Sequence, residues 1–276
     1  MSFTLQGINL LGIKSKVEAD MINALRGWYL NAIGLDNFKA TNQSSASPAS
    51  QICITCDRVR LWDQSGNSSA IAKEVDLMVD LAVSGPGGLD TGSVSADTWY
   101  YLWLLGKCPA DDGLATGLAG LASLSGSSPA MPAGYFHQRL AGVCRTGTGG
   151  DLKGFAQLGA NWLYSERQQV VYLTASTARI TQSLSAFMPP EALMALINYR
   201  SYSPYSTSEA GGELFVYAAE NNIAGFDSDK IEESQVTVWL PTPGQQFDYR
   251  WTVSAGSGNT LYIWCDGFRW PIHKEP

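Results

Sequence analysis

From residue 51 onward the chain is written in short runs where apolar and polar residues alternate with a period of two. Turn-forming Gly, Pro, Ser and Asn clusters separate the runs. A two-residue period places successive side chains on opposite faces of a strand, so such runs specify half-buried β-strands and exclude helices. Ile52, Ile54 and Cys56 alternate with Cys53, Thr55 and Asp57; Val59 and Leu61 then continue against Arg58, Arg60 and Trp62. Residues 63–67 read as a turn, and residues 74–84 as the next strand. Residues 98–105 are apolar on both faces, the pattern of a strand covered on both sides. Further strands are predicted at 114–123, 135–144, 152–157, 169–173, 178–183, 192–199, 213–218, 235–240, 249–255 and 259–264.

One segment breaks this period. In residues 15–34, Val17, Met21, Leu25, Trp28, Tyr29 and Ala32 recur at helical spacing. Ser15 and Glu18 have the spacing of a capping box, and Gly34 follows as a C-terminal cap. The predicted fold class is therefore mainly β: an N-terminal helical segment followed by two antiparallel β-sandwich, jelly-roll-like domains. The predicted divisions are 1–44 (helical attachment segment and linker), 45–162 (first sandwich) and 163–276 (second sandwich). The apolar helix face, Val17, Met21, Leu25, Trp28 and Tyr29, is assigned to assembly and anchoring.

Composition narrows the function classes. Charged residues make up 16% of the chain, against about 25% in typical soluble domains. The formal charge of −7 gives phosphates little to bind, which argues against nucleic acid. The longest apolar run, residues 99–105, is far shorter than a bilayer-spanning helix. No secretory leader is read at the N-terminus, and five cysteines make no disulfide framework, so the chain is expected to fold in a reducing cytoplasm. Charge depletion with many Tyr, Ser, Thr and Gly residues suits extensive contact with other subunits.

The candidate chemistry is weak. Cys53 and Cys56 form a C-x-x-C, but an alternating strand sends them to opposite faces, and no second pair follows. A nucleophilic triad would have to use His137, since His273 is at the C-terminal end, and no nucleophile elbow occurs. Asp76 and Asp80 share a strand face roughly 13 Å apart. Asp111-Asp112 and Glu232-Glu233 read as turns, and residues 147–154 as a Gly-rich hairpin rather than a phosphate loop. No catalytic residue, cofactor or metal is predicted, and the protein is expected not to be an enzyme. Residues 199–206 read as a loop carrying Tyr199, Arg200, Tyr202 and Tyr205, a composition used by adaptable recognition surfaces. These four are the candidate partner or receptor contacts.

Three stretches carry a family resemblance. They are Trp28-Tyr29-Leu30 through the linker to residues 52–60; the string from Gly88-Leu89-Asp90-Thr91-Gly92 through Thr98-Trp99-Tyr100-Tyr101 to Leu105; and Met131-Pro132-Ala133-Gly134-Tyr135 through Arg139 to Arg145-Thr146 and a Gly-rich turn. Together they resemble tail-associated structural proteins of tailed bacteriophages. The resemblance covers about residues 28–157 and is looser beyond. It implies a virion part of a tail fibre, tail tip or baseplate, assembled in the host cytoplasm and often a homotrimer. Its partners would be other phage tail proteins and a host cell-surface glycan or protein, without membrane insertion. The alternatives are a carbohydrate-binding module and a capsid decoration protein.

Overall fold

The computed structural model describes residues 34–42, 50–66, 68–107, 113–175, 177–202, 210–216, 222–228, 233–253 and 259–271. In chain order the strands are β1 (Leu35–Asp36), β2 (Lys39–Asn42), β3 (Gln51–Asp63), β4 (Ser69–Asp80), β5 (Trp99–Lys107), β6 (Thr116–Ser123), β7 (His137–Arg145) and β8 (Phe155–Leu158). They continue with β9 (Asn161–Leu173), β10 (Thr177–Ser183), β11 (Met194–Tyr202), β12 (Ala210–Val216), β13 (Asn222–Ser228), β14 (Glu233–Pro241), β15 (Gln246–Val253) and β16 (Thr260–Arg269). Every strand pair is antiparallel.

The long hairpin β3–β4 shows how the sequence period becomes structure. Ile52, Ile54 and Cys56 of β3 are buried, and so are Val59 and Leu61 after a one-residue change of phase. In β4 the buried set changes phase at the same level, from Val79 and Val75 to Ala72 and Ala70. The pairs Cys56↔Val75 and Arg58↔Lys73 flank the change, and Glu74 there has a φ of 53°. Because both strands shift together, the apolar face stays on one side for the whole hairpin. Strand β5 is buried from Tyr100 to Leu105 and lies between β6 and β7, as its two-sided apolar pattern requires. Strand β6 covers β4, with Gly120 against the Val79 side chain.

One 12-stranded sheet, in the order β14-β11-β16-β9-β8-β2-β3-β7-β5-β6, joins the two halves, with β1 and β4 also paired to β3. A second sheet has the order β10-β15-β12-β13. Apart from β12 and β13, which pair with each other in the second sheet, the last eight strands alternate between the array β9-β16-β11-β14 and this second sheet, the connectivity of two interlocked Greek keys. Phe247, Tyr249 and Trp251 of β15 and Ile197, Tyr199, Leu240 and Ile263 of the larger sheet belong to one buried cluster.

The expected fold class, an N-terminal helical segment followed by two antiparallel β-sandwich domains, is corrected by this arrangement. The described residues contain no α-helix, only a 3-10 turn at Pro243–Gln245. Nor are the strands divided between two separate sandwiches: β9-β16-β11-β14 and β10-β15-β12-β13 share a core in the second half, but the first of these arrays continues into the first half. The short strand β8 bonds β2 on one edge and β9 on the other, so one sheet runs through both halves. Strand β9 itself begins at Asn161 and runs through the expected division at 162/163. Apart from Gly34, the helix expected at 15–34 lies outside the described residues, as do Val17, Met21, Leu25, Trp28 and Tyr29.

Candidate contact surface

The outer face of β14-β11-β16-β9 is the most distinctive surface on the described part of the molecule. Its inner face is apolar: Leu261, Ile263 and Cys265 of β16, Ala195, Ile197 and Tyr199 of β11, and Leu240 of β14 are fully buried. Alternation therefore turns Tyr262, Trp264 and Asp266 of β16, Arg200 of β11, and Thr237 and Trp239 of β14 outward, and Asn198 of β11 too, although at 1% exposure its neighbours on that face cover it. Pairing sets them in cross-strand rows. Tyr172, Tyr262 and Arg200 occupy one, and Trp264 and Asn198 the next.

The rings form a column. Tyr172 and Tyr262 have centroids 5.0 Å apart, and Tyr262 and Trp264 stack at 5.1 Å with planes 4° apart. The Arg167 guanidinium sits over Trp264 at 5.6 Å and is 3.7 Å from Asp266. Burial raises the Asp266 carboxyl above its usual range, and Arg167 and an Asn198 hydrogen bond oppose that. The Asn198 amide also donates to Thr237 Oγ1 at 2.9 Å. Nearby, Arg269 lies over Trp239 at 4.7 Å. Tyr262 shares its ring with neighbours on both sides, so this face offers ring edges, hydroxyls and guanidinium groups. Tyr172, at 49% exposure, keeps the most open ring. Such a face is suited to binding through Tyr, Trp and Arg anchors.

The predicted contact residues are split by this geometry. Residues 199–202, expected in a loop, are the end of β11. Tyr199 points into the core and is fully buried, which removes its side chain from any surface. Arg200 and Tyr202 are on the outer side, Tyr202 at 39% exposure. Tyr205 lies outside the described residues. Tyr172, Trp239, Tyr262 and Trp264 were missed as a site, because only strand pairing brings them together.

The other motifs fall into structural roles. Cys53 is half-buried and Cys56 buried on the opposite face of β3. Burial pushes the Cys56 and Cys265 thiols up to about 12 and raises Cys144 as well, so these groups stay protonated rather than acting as thiolates. His137 is 3% exposed, with Nε2 3.0 Å from Ser68 Oγ. Among the described residues nothing hydrogen bonds its Nδ1, so this pair lacks the orienting acid of a triad. Asp80 accepts hydrogen bonds from the Gln51 amide and the Ala82 N–H, which hold its carboxyl below the usual range. Asp111, Asp112, Glu232 and His273 lie outside the described residues. The Gly-rich segment is a tight turn, in which Gly147 N–H donates to the Asp151 carbonyl.

The string that carries the resemblance is a polar staple. Asp90 accepts from the Ser123 hydroxyl at 2.6 Å and the Ala130 N–H at 3.0 Å, tying residues 90, 123 and 130 together. The Thr146 hydroxyl, fully buried, donates to the Ser95 carbonyl at 2.6 Å and accepts from the Thr98 N–H at 2.9 Å. Tyr100 accepts from the Ser95 N–H at 2.7 Å. Replacing Asp90 with Ala leaves the Ser123 hydroxyl without its acceptor and should cost about 1–3 kcal/mol. Chemical denaturation would read it, and proteolysis near residues 124–130 should quicken.

No family model matches the sequence, and no curated protein matches it. Thirteen chains of solved structures match. One is a tryptic core variant of the Bacillus thuringiensis toxin Cry1Da, 8% identical, covering 84% of this chain and 51% of the toxin chain with a TM-score of 0.18. The chain thus spans about half the length of that toxin core, and a likeness at that score carries no argument about fold or function.

Proposed function

We propose that the protein is a structural subunit of a phage tail that works by contact rather than by chemistry. The outer face of β14-β11-β16-β9 would meet other tail proteins or the host surface. The observation that carries this reading is the Tyr172–Tyr262–Trp264 column with Arg167 on a rigid sheet. Tyr, Trp and Arg are the side chains that dominate binding energy at interfaces. The tail assignment itself rests on the resemblance over residues 28–157, whose most specific string supplies the staple rather than a reacting group. Several copies on one particle would add weak contacts into firm attachment.

Antibody labelling of particles in the electron microscope tests the reading. Label on the tail supports it, whereas label confined to the capsid sinks it and favours a decoration protein. In the same particles Tyr262→Ala with Trp264→Ala should lower incorporation or host adsorption about tenfold, the effect of losing roughly 1.4 kcal/mol.

A second reading, a carbohydrate-binding module, is favoured by one observation. Tyr172 ends the ring column half-exposed, where a sugar ring can stack. Glycan-array binding by the purified protein that disappears in Tyr172→Ala would support this reading over the first.

A further inference from the structure

We propose that β14 is a pairing edge through which two copies of this chain join their sheets antiparallel about a two-fold axis. Strand β14 ends the 12-stranded sheet among the described residues. It pairs with β11 at all nine positions, from Met194↔Pro241 to Tyr202↔Glu233, without a register shift. Its other edge therefore directs alternate N–H and C=O groups away from β11.

Among the described residues the edges of β4 and β6 are covered by other backbone, and no strand pairs the outer edge of β14. Strand β6 is covered by the segment at 87–90: Gly87 N–H donates to the Gly120 carbonyl, and Ala122 exchanges bonds with Gly88 and Asp90. Strand β4 is covered by Gly113 and Ala115 at Ile71 and by Gly87 at Asp80, with the charges Lys73, Glu74 and Asp76 between. Strand β10 carries a register shift and Arg179, and β13 has a register shift against β12. From Ser234 to Leu240, β14 has no charge, no proline and no bulge.

The occupant that fits is β14 itself. Antiparallel pairing centred on Thr237 sets Val236 opposite the partner's Val238, and Gln235 opposite the partner's Trp239. Val236 and Val238 then continue the inner apolar face, while Gln235, Thr237 and Trp239 continue the outer one. No like charges meet between residues 234 and 240. This pairing does not depend on the tail reading.

Sedimentation equilibrium of the full chain at micromolar concentration is the test. The expected result is a two-subunit mass. Thr237→Lys sets two ammonium groups opposite each other at the two-fold axis and should weaken the dimer at least about tenfold. Thr237→Ser keeps the hydroxyl that accepts from the Asn198 amide, without charge, and should leave the dimer intact, and so should Thr252→Lys on the exposed side of β15. Circular dichroism of each variant separates lost pairing from lost folding. A monomer, or a dimer indifferent to Thr237→Lys while both Thr237→Lys and Thr237→Ser are folded, overturns the proposal. A three-subunit mass overturns it too, yet leaves the tail reading standing.

Discussion

Trp162→Ala should destabilise the protein by about 3–5 kcal/mol, a large part of the roughly 5–15 kcal/mol that holds a domain together. Trp162 is fully buried at the start of β9. Its ring stacks on Phe155 at 5.2 Å and on Phe268 at 4.7 Å, and it meets Tyr164 and Trp99 edge-on at 4.5 and 5.6 Å. Its indole N–H donates to the Val143 carbonyl at 2.9 Å. These partners belong to β5, β7, β8, β9 and β16, so one ring ties strands from both halves of the chain. Truncation removes the packing, opens a cavity where the strands cannot collapse freely, and leaves the Val143 carbonyl short of a donor. Trp162→Phe keeps an aromatic ring but no donor and should cost less. Urea unfolding followed by fluorescence and by circular dichroism should give coincident transitions in the wild type. A loss below about 1 kcal/mol in Trp162→Ala would contradict the central place assigned to this ring.

The strands were legible because burial follows a local period. Residues 52–61 even display their change of phase. An unbroken period of two after Cys56 would bury position 58, which is Arg58, and Val59 is buried instead. The two-sided run at 99–105 announced a covered strand for the same reason. Sheet order was not legible. Nothing in Phe155–Leu158 says that this short strand bonds both β2 and β9, because pairing depends on which edges meet in space. That is why two separate sandwiches were expected where one sheet runs through.

The contact surface was legible only in part. Residues 199–202 have loop-like composition, yet they hold a period of two: Tyr199 and Ser201 face inward, Arg200 and Tyr202 outward. Reading composition before period placed Tyr199 on the surface. Tyr262 and Trp264 alternate openly against Leu261, Ile263 and Cys265, which is a signal for an aromatic outer face. Tyr172 and Arg167 could not be added to them from sequence. Strand β9 changes register against β16 between Val171 and Gln169 and again between Gln168 and Leu163. Those shifts bring Arg167 over Trp264.

The second of those shifts leads to the last expectation, that Gly267→Ala destabilises the chain by about 3 kcal/mol or more. Gly267 pairs with Leu163 where β16 resumes its register with β9. A Cβ there would collide with the Trp162 carbonyl oxygen and stand 3.1 Å from the Leu163 Cα. Both are backbone atoms, so no side-chain rotation relieves the clash, and β9 itself must move. That movement also displaces Trp162, whose ring contacts depend on the position of its backbone. The cause is space and not a left-handed backbone, and Gly244 provides the contrast. Gly244 has a φ of 62° with nothing within 4 Å of the position a Cβ would take. Gly244→Ala should therefore cost only about 1–2 kcal/mol, the strain of that conformation. Equal losses for the two variants in urea unfolding would mean that β9 and β16 yield freely at this shift, and that the close approach is not what holds these two strands in register.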